Sequence, residues 1–213
     1  LSTIHSLSTY GAQKCAETAD FDYIVDNTML TNYHTLQYVA STLRPALGGG
    51  VILEAFTQEK DRLVLRFDST EDVLIISCEK ALNACWLRRN FARARANSAD
   101  VLGQAVGRRV TDIAMHPVDR VVMFTLDSGC RLDACFFGAK ANVFVVDARG
   151  RVLDAFKSAR QIVGTHVEYR SGELVYDIDM LRSRLAATPS GSLVALMKET
   201  FPTLGARPTM TVG

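Results

Sequence analysis

No CxxC pair, no long apolar run and no excess charge of either sign occur in this 213-residue chain, and each absence removes a class of function. The five cysteines, Cys15, Cys78, Cys85, Cys130 and Cys135, are an odd number, and the four histidines show no ligand spacing. A zinc site is therefore not expected, and the thiols read as reduced ones of a cytosolic protein. No segment approaches the roughly twenty apolar residues that span a bilayer, so no membrane partner is expected. Residues 1 to 28 also lack the basic start and apolar run of a signal peptide. With a net charge of +1, any case for a polyanionic partner must rest on where the arginines cluster. There is no Ser-His-Asp order, paired-carboxylate motif, Walker loop or glycine-rich dinucleotide turn. Neither a cofactor nor a catalytic residue is expected.

What is present describes an ordinary globular protein, with 48% hydrophobic and 22% charged residues, long enough for one buried domain with appendages or for two small ones. Residues 1 to 28 are polar and aperiodic and read as an extension with little role in the fold, ahead of a plausible initiator, Met29. Thr31 or Asn32 can cap a helix whose apolar stripe is Leu36, Val39, Ala40, Leu43 and Leu47, ended by Pro45 and Gly48-Gly49-Gly50. Three strand-like runs follow, Val51 to Phe56, Leu63 to Phe67 and Val73 to Ser77, and read as an antiparallel meander packed on that helix. Residues 81 to 105 are richer in arginine, with a short helix expected from about Ser98. A second meander runs from residue 108, with turns at Asp127-Ser128-Gly129 and Asp147-Ala148-Arg149-Gly150. Its start, VGRRVTDIAMHPVDRVVMFTL, aligns with LGGGVILEAFTQEKDRLVLRF of the first, which reads as an internal duplication giving two β layers that face each other. Chance similarity between two amphipathic hairpins is the alternative. From Asp177 the pattern is helical: Ile178, Leu181 and Leu185 form one face, and Leu193, Val194, Leu196 and Met197 another. The fold class expected is α+β, two antiparallel β meanders in a sandwich or barrel-like core with flanking helices.

The least routine stretch is residues 107 to 126. Val110, Ile113 and Met115 read as the buried positions of one strand, and Val121, Val122, Phe124 and Leu126 as those of the next. Between them His116-Pro117-Val118 breaks the ladder, because proline has no amide donor and restricts its predecessor. At that break stand Asp119 and Arg120, expected exposed. Side by side they can present an acceptor and a five-donor fork suited to polar edges and phosphates, or form a plain surface ion pair at a strand end. The arginines Arg88, Arg89, Arg93 and Arg95, with Arg108 and Arg109, are the best candidate for contacts to an RNA backbone; a solvated helix face is the bland alternative. Lys140 and Lys157 are weaker candidates. His116 reads as a turn residue before it reads as a ligand-binding one, and Cys130 and Cys135, five apart, point to opposite faces and share no metal.

The helix ending in GGG, the KDRLVLRF strand, the HPVDR break and CFFGAKANVFVVDARGRVLDAFK, in that order, resemble the NFACT-N domain of the RqcH/NEMF ribosome-quality-control family, also called the fibronectin-binding protein A N-terminal domain. The resemblance covers about residues 29 to 205. It implies a domain over residues 29–200, with residues 201–213 the start of a truncated helix-hairpin-helix segment. Proteins of this kind bind large ribosomal subunits obstructed by peptidyl-tRNA and recruit alanyl-tRNA, so that the stalled chain is extended by alanine tailing. The family's tRNA handling requires an Asp-Arg pair in the second meander, a role the resemblance gives to Asp119 and Arg120 and not to Asp61-Arg62. The fold it implies is similar to the N-terminal domain of formamidopyrimidine-DNA glycosylase. The catalytic proline and glutamate of those enzymes have no counterpart after Met29, where Leu30 and Thr31 follow. The expectation is thus a cytoplasmic, non-enzymatic tRNA-binding module, with a fibronectin-binding adhesin or a non-catalytic glycosylase-like nucleic-acid-binding domain as alternatives.

Overall fold

The computed structural model describes residues 32–171 and 178–187. The expected extension over 1 to 28, the helix face from Leu193 to Met197 and the segment 201–213 lie outside the described residues.

Helix α1 (Tyr33–Leu47) begins as its sequence suggests, with the Asn32 side chain accepting the His34 amide at 2.9 Å. Leu36, Ala40, Leu43 and Leu47 are buried and Val39 is half-buried, the stripe that a 3.6-residue period dictates. Pro45 does not end the helix. It lies in the last turn, where its missing N–H costs one bond to Ser41, an exposed residue. The helix stops at Gly48, whose amide reaches the Arg44 carbonyl at 2.9 Å.

Ten strands follow: β1 (Ile52–Glu59), β2 (Arg62–Phe67), β3 (Val73–Cys78), β4 (Asn83–Arg88), β5 (Ala99–Asp100), β6 (Val110–Met115), β7 (Val121–Leu126), β8 (Arg131–Cys135), β9 (Asn142–Val146) and β10 (Val152–Ala155). They form two antiparallel five-stranded sheets, in the orders β4-β3-β2-β1-β5 and β10-β9-β8-β7-β6. The two aligned sequence segments fold as the hairpins β1–β2 and β6–β7, one in each sheet. A short helix α2 (Ala159–Ile162) follows β10, and α3 (Ile178–Ala187) ends the described chain. Among the described residues no helix is long and apolar enough to cross a membrane.

Alternation along the strands sends one set of side chains between the sheets. Leu63, Leu65 and Ile76 from the first sheet and Val122, Phe124 and Leu132 from the second belong to one buried cluster, with α1 closing it against β6 and β7. The architecture is therefore α+β with a sandwich-like core. The helix covers the second meander rather than the first, because the chain crosses from α1 straight into the join between the sheets. There Gly49 N–H bonds the Val110 carbonyl at 2.8 Å and Val110 N–H bonds Gly50 at 2.9 Å. A Cβ on Gly50 would stand 2.5 Å from the Ser69 hydroxyl and 3.1 Å from the Leu47 carbonyl, so a larger residue there would have to displace the Ser69 side chain.

Two expectations for residues 81 to 105 are corrected. Residues 83–88 are a fourth strand, and no helix starts near Ser98. Ala99 and Asp100 instead pair with Thr57 and Phe56 as an edge strand. The outward residues of the first sheet, Phe56, Val64, Val73 and Ile75, are almost completely buried and need a cover, which Trp86 and Phe91 help to provide.

Candidate nucleic-acid interface

The HPVDR break lies where expected, between β6 and β7, and its turn is built by His116. The His116 imidazole Nδ1 accepts the amides of Val118 (3.2 Å) and Asp119 (3.0 Å). The ring must therefore be neutral at Nδ1, and burial lowers its pKa below the ordinary value despite the carboxylates of Asp119 and Asp133 nearby. From the other side the Tyr33 hydroxyl lies 3.0 Å from the carbonyls of both His116 and Pro117. His116 thus does the work of a turn residue.

Asp119 is not exposed, which corrects the expectation of an outward acid beside an outward guanidinium. It is 6% accessible, and both carboxylate oxygens are engaged by one residue distant in sequence: Arg170 donates its backbone amide at 2.7 Å and its Nε at 2.6 Å. Burial alone would raise this carboxyl, but the two Arg170 hydrogen bonds and the guanidinium charge outweigh it and hold the pKa below the usual range. A carboxylate so occupied cannot read a base edge; it positions Arg170.

The anchoring strap, residues 167 to 171, lies over the outer side of the second sheet. Tyr169 donates its hydroxyl to Asp133 at 2.9 Å, lies 3.4 Å from the Cys135 Sγ, and sets its ring 5.0 Å from that of His116. Asp133 is fully buried, and Arg131 holds it with a two-pronged contact of 2.7 and 2.9 Å. Burial pushes the Cys135 thiol up to about 12 and raises the Tyr169 phenol as well. Neither is poised to ionise. Nothing in the local pattern of residues 165 to 171 marks Tyr169 and Arg170; the strap follows β10 and α2 without periodicity.

Arg120 is the exception. It is half-buried, and among the described residues its guanidinium makes no hydrogen bond or ion pair. Its pKa is lowered, first by burial and then by the nearby Arg170 charge, with Asp119 opposing. The contrast with the aligned position in the first meander is direct. Arg62 contacts Glu59 at 2.7 Å and Glu79 at 2.5 Å, and Asp61 contacts Lys157 at 3.4 Å. One Asp-Arg pair is neutralised within the fold; the other leaves a cation over.

The remaining arginine candidates do not form one patch. Arg93 sits 4.5 Å over the Phe56 ring and is held by Ser98, Asp100 and Glu54. The open recess of about 590 Å³ that it lines with Leu53, Glu54, Asp100 and Val106 holds two carboxylates against one guanidinium, the wrong balance for a phosphate. Arg88 lies over Phe91 and Arg89 faces Asp72 at 3.4 Å, on the edge strand three spacings, about 14 Å, from β1. Arg95 is exposed beyond them. Arg108 and Arg109 are exposed at the join of the sheets, where Arg109 donates to the Gly49 carbonyl. Because Val110 pairs with Leu126 and Met115 with Val122, Arg109 and Arg120 stand at opposite ends of the β6–β7 hairpin, about 20 Å apart. Lys157 is bound to Asp61 and to the Cys78 carbonyl, and Lys140 is exposed at the end of a short 3-10 turn. Among the described residues no group of His, Cys, Asp and Glu side chains could hold a metal ion.

No family model matches the sequence, and no curated protein matches it. Solved structures do. The N-terminal domain of fibronectin-binding protein PavA from Streptococcus pneumoniae superposes with a TM-score of 0.65 at 16% identity, covering 85% of this chain and 78% of that one. The fibrinogen-binding protein from Staphylococcus aureus gives 0.60 at 14%, over 81% and 70%. The N-terminal part of the fibronectin/fibrinogen-binding protein from Streptococcus suis gives 0.56 at 17%, over 76% and 70%. At such identities the likeness is one of fold, and this chain shares the two-sheet fold of the N-terminal domains of fibronectin-binding proteins.

Proposed function

We propose that this chain is the NFACT-N-like module of a cytoplasmic ribosome-associated quality-control factor, a binding domain rather than an enzyme, and that it grips tRNA on an obstructed large ribosomal subunit through Arg120. The observation that carries this reading is the half-buried Arg120 guanidinium at the HPVDR break, which has no hydrogen-bond or ion-pair partner among the described residues. Leaving such a charge without a carboxylate costs stability, and a phosphate would supply the missing partner in the geometry that arginine fits best. Asp119 serves the site indirectly, by holding Arg170. The test is binding of fluorescently labelled mixed tRNA to the 213-residue chain and to Arg120→Met. Roughly tenfold weaker binding by the variant is expected from loss of one charge-assisted contact; equal binding would contradict the reading.

A second reading, attachment to fibronectin, is favoured by what the similar Streptococcus proteins are named for. Binding of the chain to immobilised fibronectin, undiminished in Arg120→Met, together with labelling of the protein on intact cells, would favour it over the first.

A further inference from the structure

We infer that Arg170 is a second anion-binding residue of the same site, so that Arg120 and Arg170 together form a two-guanidinium clamp for one phosphodiester, with the buried Asp119 as its positioning residue. This rests on the tRNA reading for its physiological ligand but on geometry for the clamp itself. Asp119 takes the Arg170 amide and Nε and so fixes both the backbone and the near edge of the guanidinium. The outer edge stays free: the Arg170 side chain is 66% accessible, and its remaining contact is a long one, 3.4 Å from Nη2 to the Val118 carbonyl. Arg120 is the next residue along the chain from the carboxylate that holds Arg170, and the Arg170 charge helps lower its pKa. Counting the three groups, two cations share one carboxylate that is already fully hydrogen-bonded, so the corner carries one positive charge more than its acid can offset.

Two forks held near one another suit the two non-bridging oxygens of a phosphodiester, each of which can accept from one guanidinium. Preorganisation comes from the strap. Tyr169, locked to Asp133, stops residue 170 from swinging away, so Arg170 does not have to be ordered when the ligand arrives. The sites thus differ in kind: Arg120 is fixed just ahead of β7, where its carbonyl accepts the Phe136 amide at 2.9 Å, and Arg170 by a long-range carboxylate anchor.

The experiment is the salt dependence of labelled tRNA binding to the 213-residue chain, its Arg120→Met, Arg170→Met and double variants, and Arg170→Lys, with melting temperatures checking that each folds. Both guanidiniums engage one phosphodiester, so the double variant is expected to flatten the slope of log affinity against log salt by about 0.7 to 0.9, the share of one phosphate, and each single Met substitution to flatten it by no more than that while weakening binding. Arg170→Lys keeps a charge but not the fork, so its slope stays near that of the parent while its affinity falls roughly three- to tenfold. This variant also decides the matter if Arg170→Met does not fold. Unchanged slope and affinity in Arg170→Met, or full affinity in Arg170→Lys, would overturn the clamp. Tripolyphosphate and poly-glutamate serve as RNA-free probes in thermal-shift measurements. Stabilisation by tripolyphosphate that vanishes in either Met variant, in a chain that does not bind tRNA, would uphold the clamp while refuting the tRNA reading. Equal stabilisation by poly-glutamate would overturn its phosphate chemistry, as would no tripolyphosphate effect in a chain whose tRNA binding ignores Arg170.

Discussion

Replacing Arg120 by methionine should make the protein more stable and a worse binder at once. Methionine keeps most of the arginine stem and its packing while removing the charge. In the free protein that charge is half-buried and lacks an ion-pair partner among the described residues, and Arg170 and Asp119 act on it in opposite directions. What remains is mainly its desolvation, which for a half-exposed group is worth far less than full burial, about 1 kcal/mol. The expected gain is therefore ~1 kcal/mol, or about 3 °C in melting temperature for a domain of this size. Arg62→Met is the control. It strips a guanidinium from Glu59 and Glu79 and should destabilise by a similar amount. Urea denaturation of both variants beside the parent gives the comparison. If Arg120→Met instead lost 1 kcal/mol or more with tRNA affinity intact, Arg120 would be a structural residue and the reasoning would fail.

Three further outcomes follow from the same contacts. His116 has a folded pKa depressed by burial, so its contribution to stability is fully present above its unfolded value, about 6.5, and is lost as pH falls through the lower folded value. Denaturation midpoints of the parent minus those of His116→Asn should show that acid-side loss, and a difference flat between pH 7 and pH 5 would refute it. Asp133→Ala leaves Arg131 and Tyr169 without their buried acceptor and should cost about 3 kcal/mol in chemical denaturation; a loss under 1 kcal/mol would show that the strap does not depend on it. Arg93→Ala uncovers the fully buried Phe56 ring and should lower the urea midpoint while leaving tRNA affinity unchanged, and weakened binding in a folded variant would make Arg93 an RNA contact.

The sheets were readable because their signals are local. Alternation and turn residues place the β6–β7 and β9–β10 hairpins, and the Leu36 to Leu47 stripe places α1, each within a few residues of its final bounds. The segment from 83 to 105 was not readable for the opposite reason. Asn83 and Cys85 point polar or small side chains into a strand, and the arginines after Trp86 mask the fact that their residues cover an apolar sheet face. Within the site, the break and the Asp-Arg pair were visible, since proline and a charged dipeptide interrupt an apolar pattern. The burial of Asp119 was not. It depends on Arg170, 51 residues away along the chain, and no periodicity links the two. The arginine grouping misled because closeness in sequence is not closeness on a twisted sheet: Arg88 and Arg109 lie near different edges, while Arg170, far along the chain, is tied by Asp119 to the HPVDR break.

The most direct measurement is an NMR titration of the arginine Nε–Hε resonances of the 213-residue chain with unlabelled tRNA. Shifts confined to Arg120 and Arg170, with Arg93 and Arg109 unmoved, are the result the account predicts. Shifts at Arg93, Arg95 or Arg109 with Arg120 unmoved would contradict it.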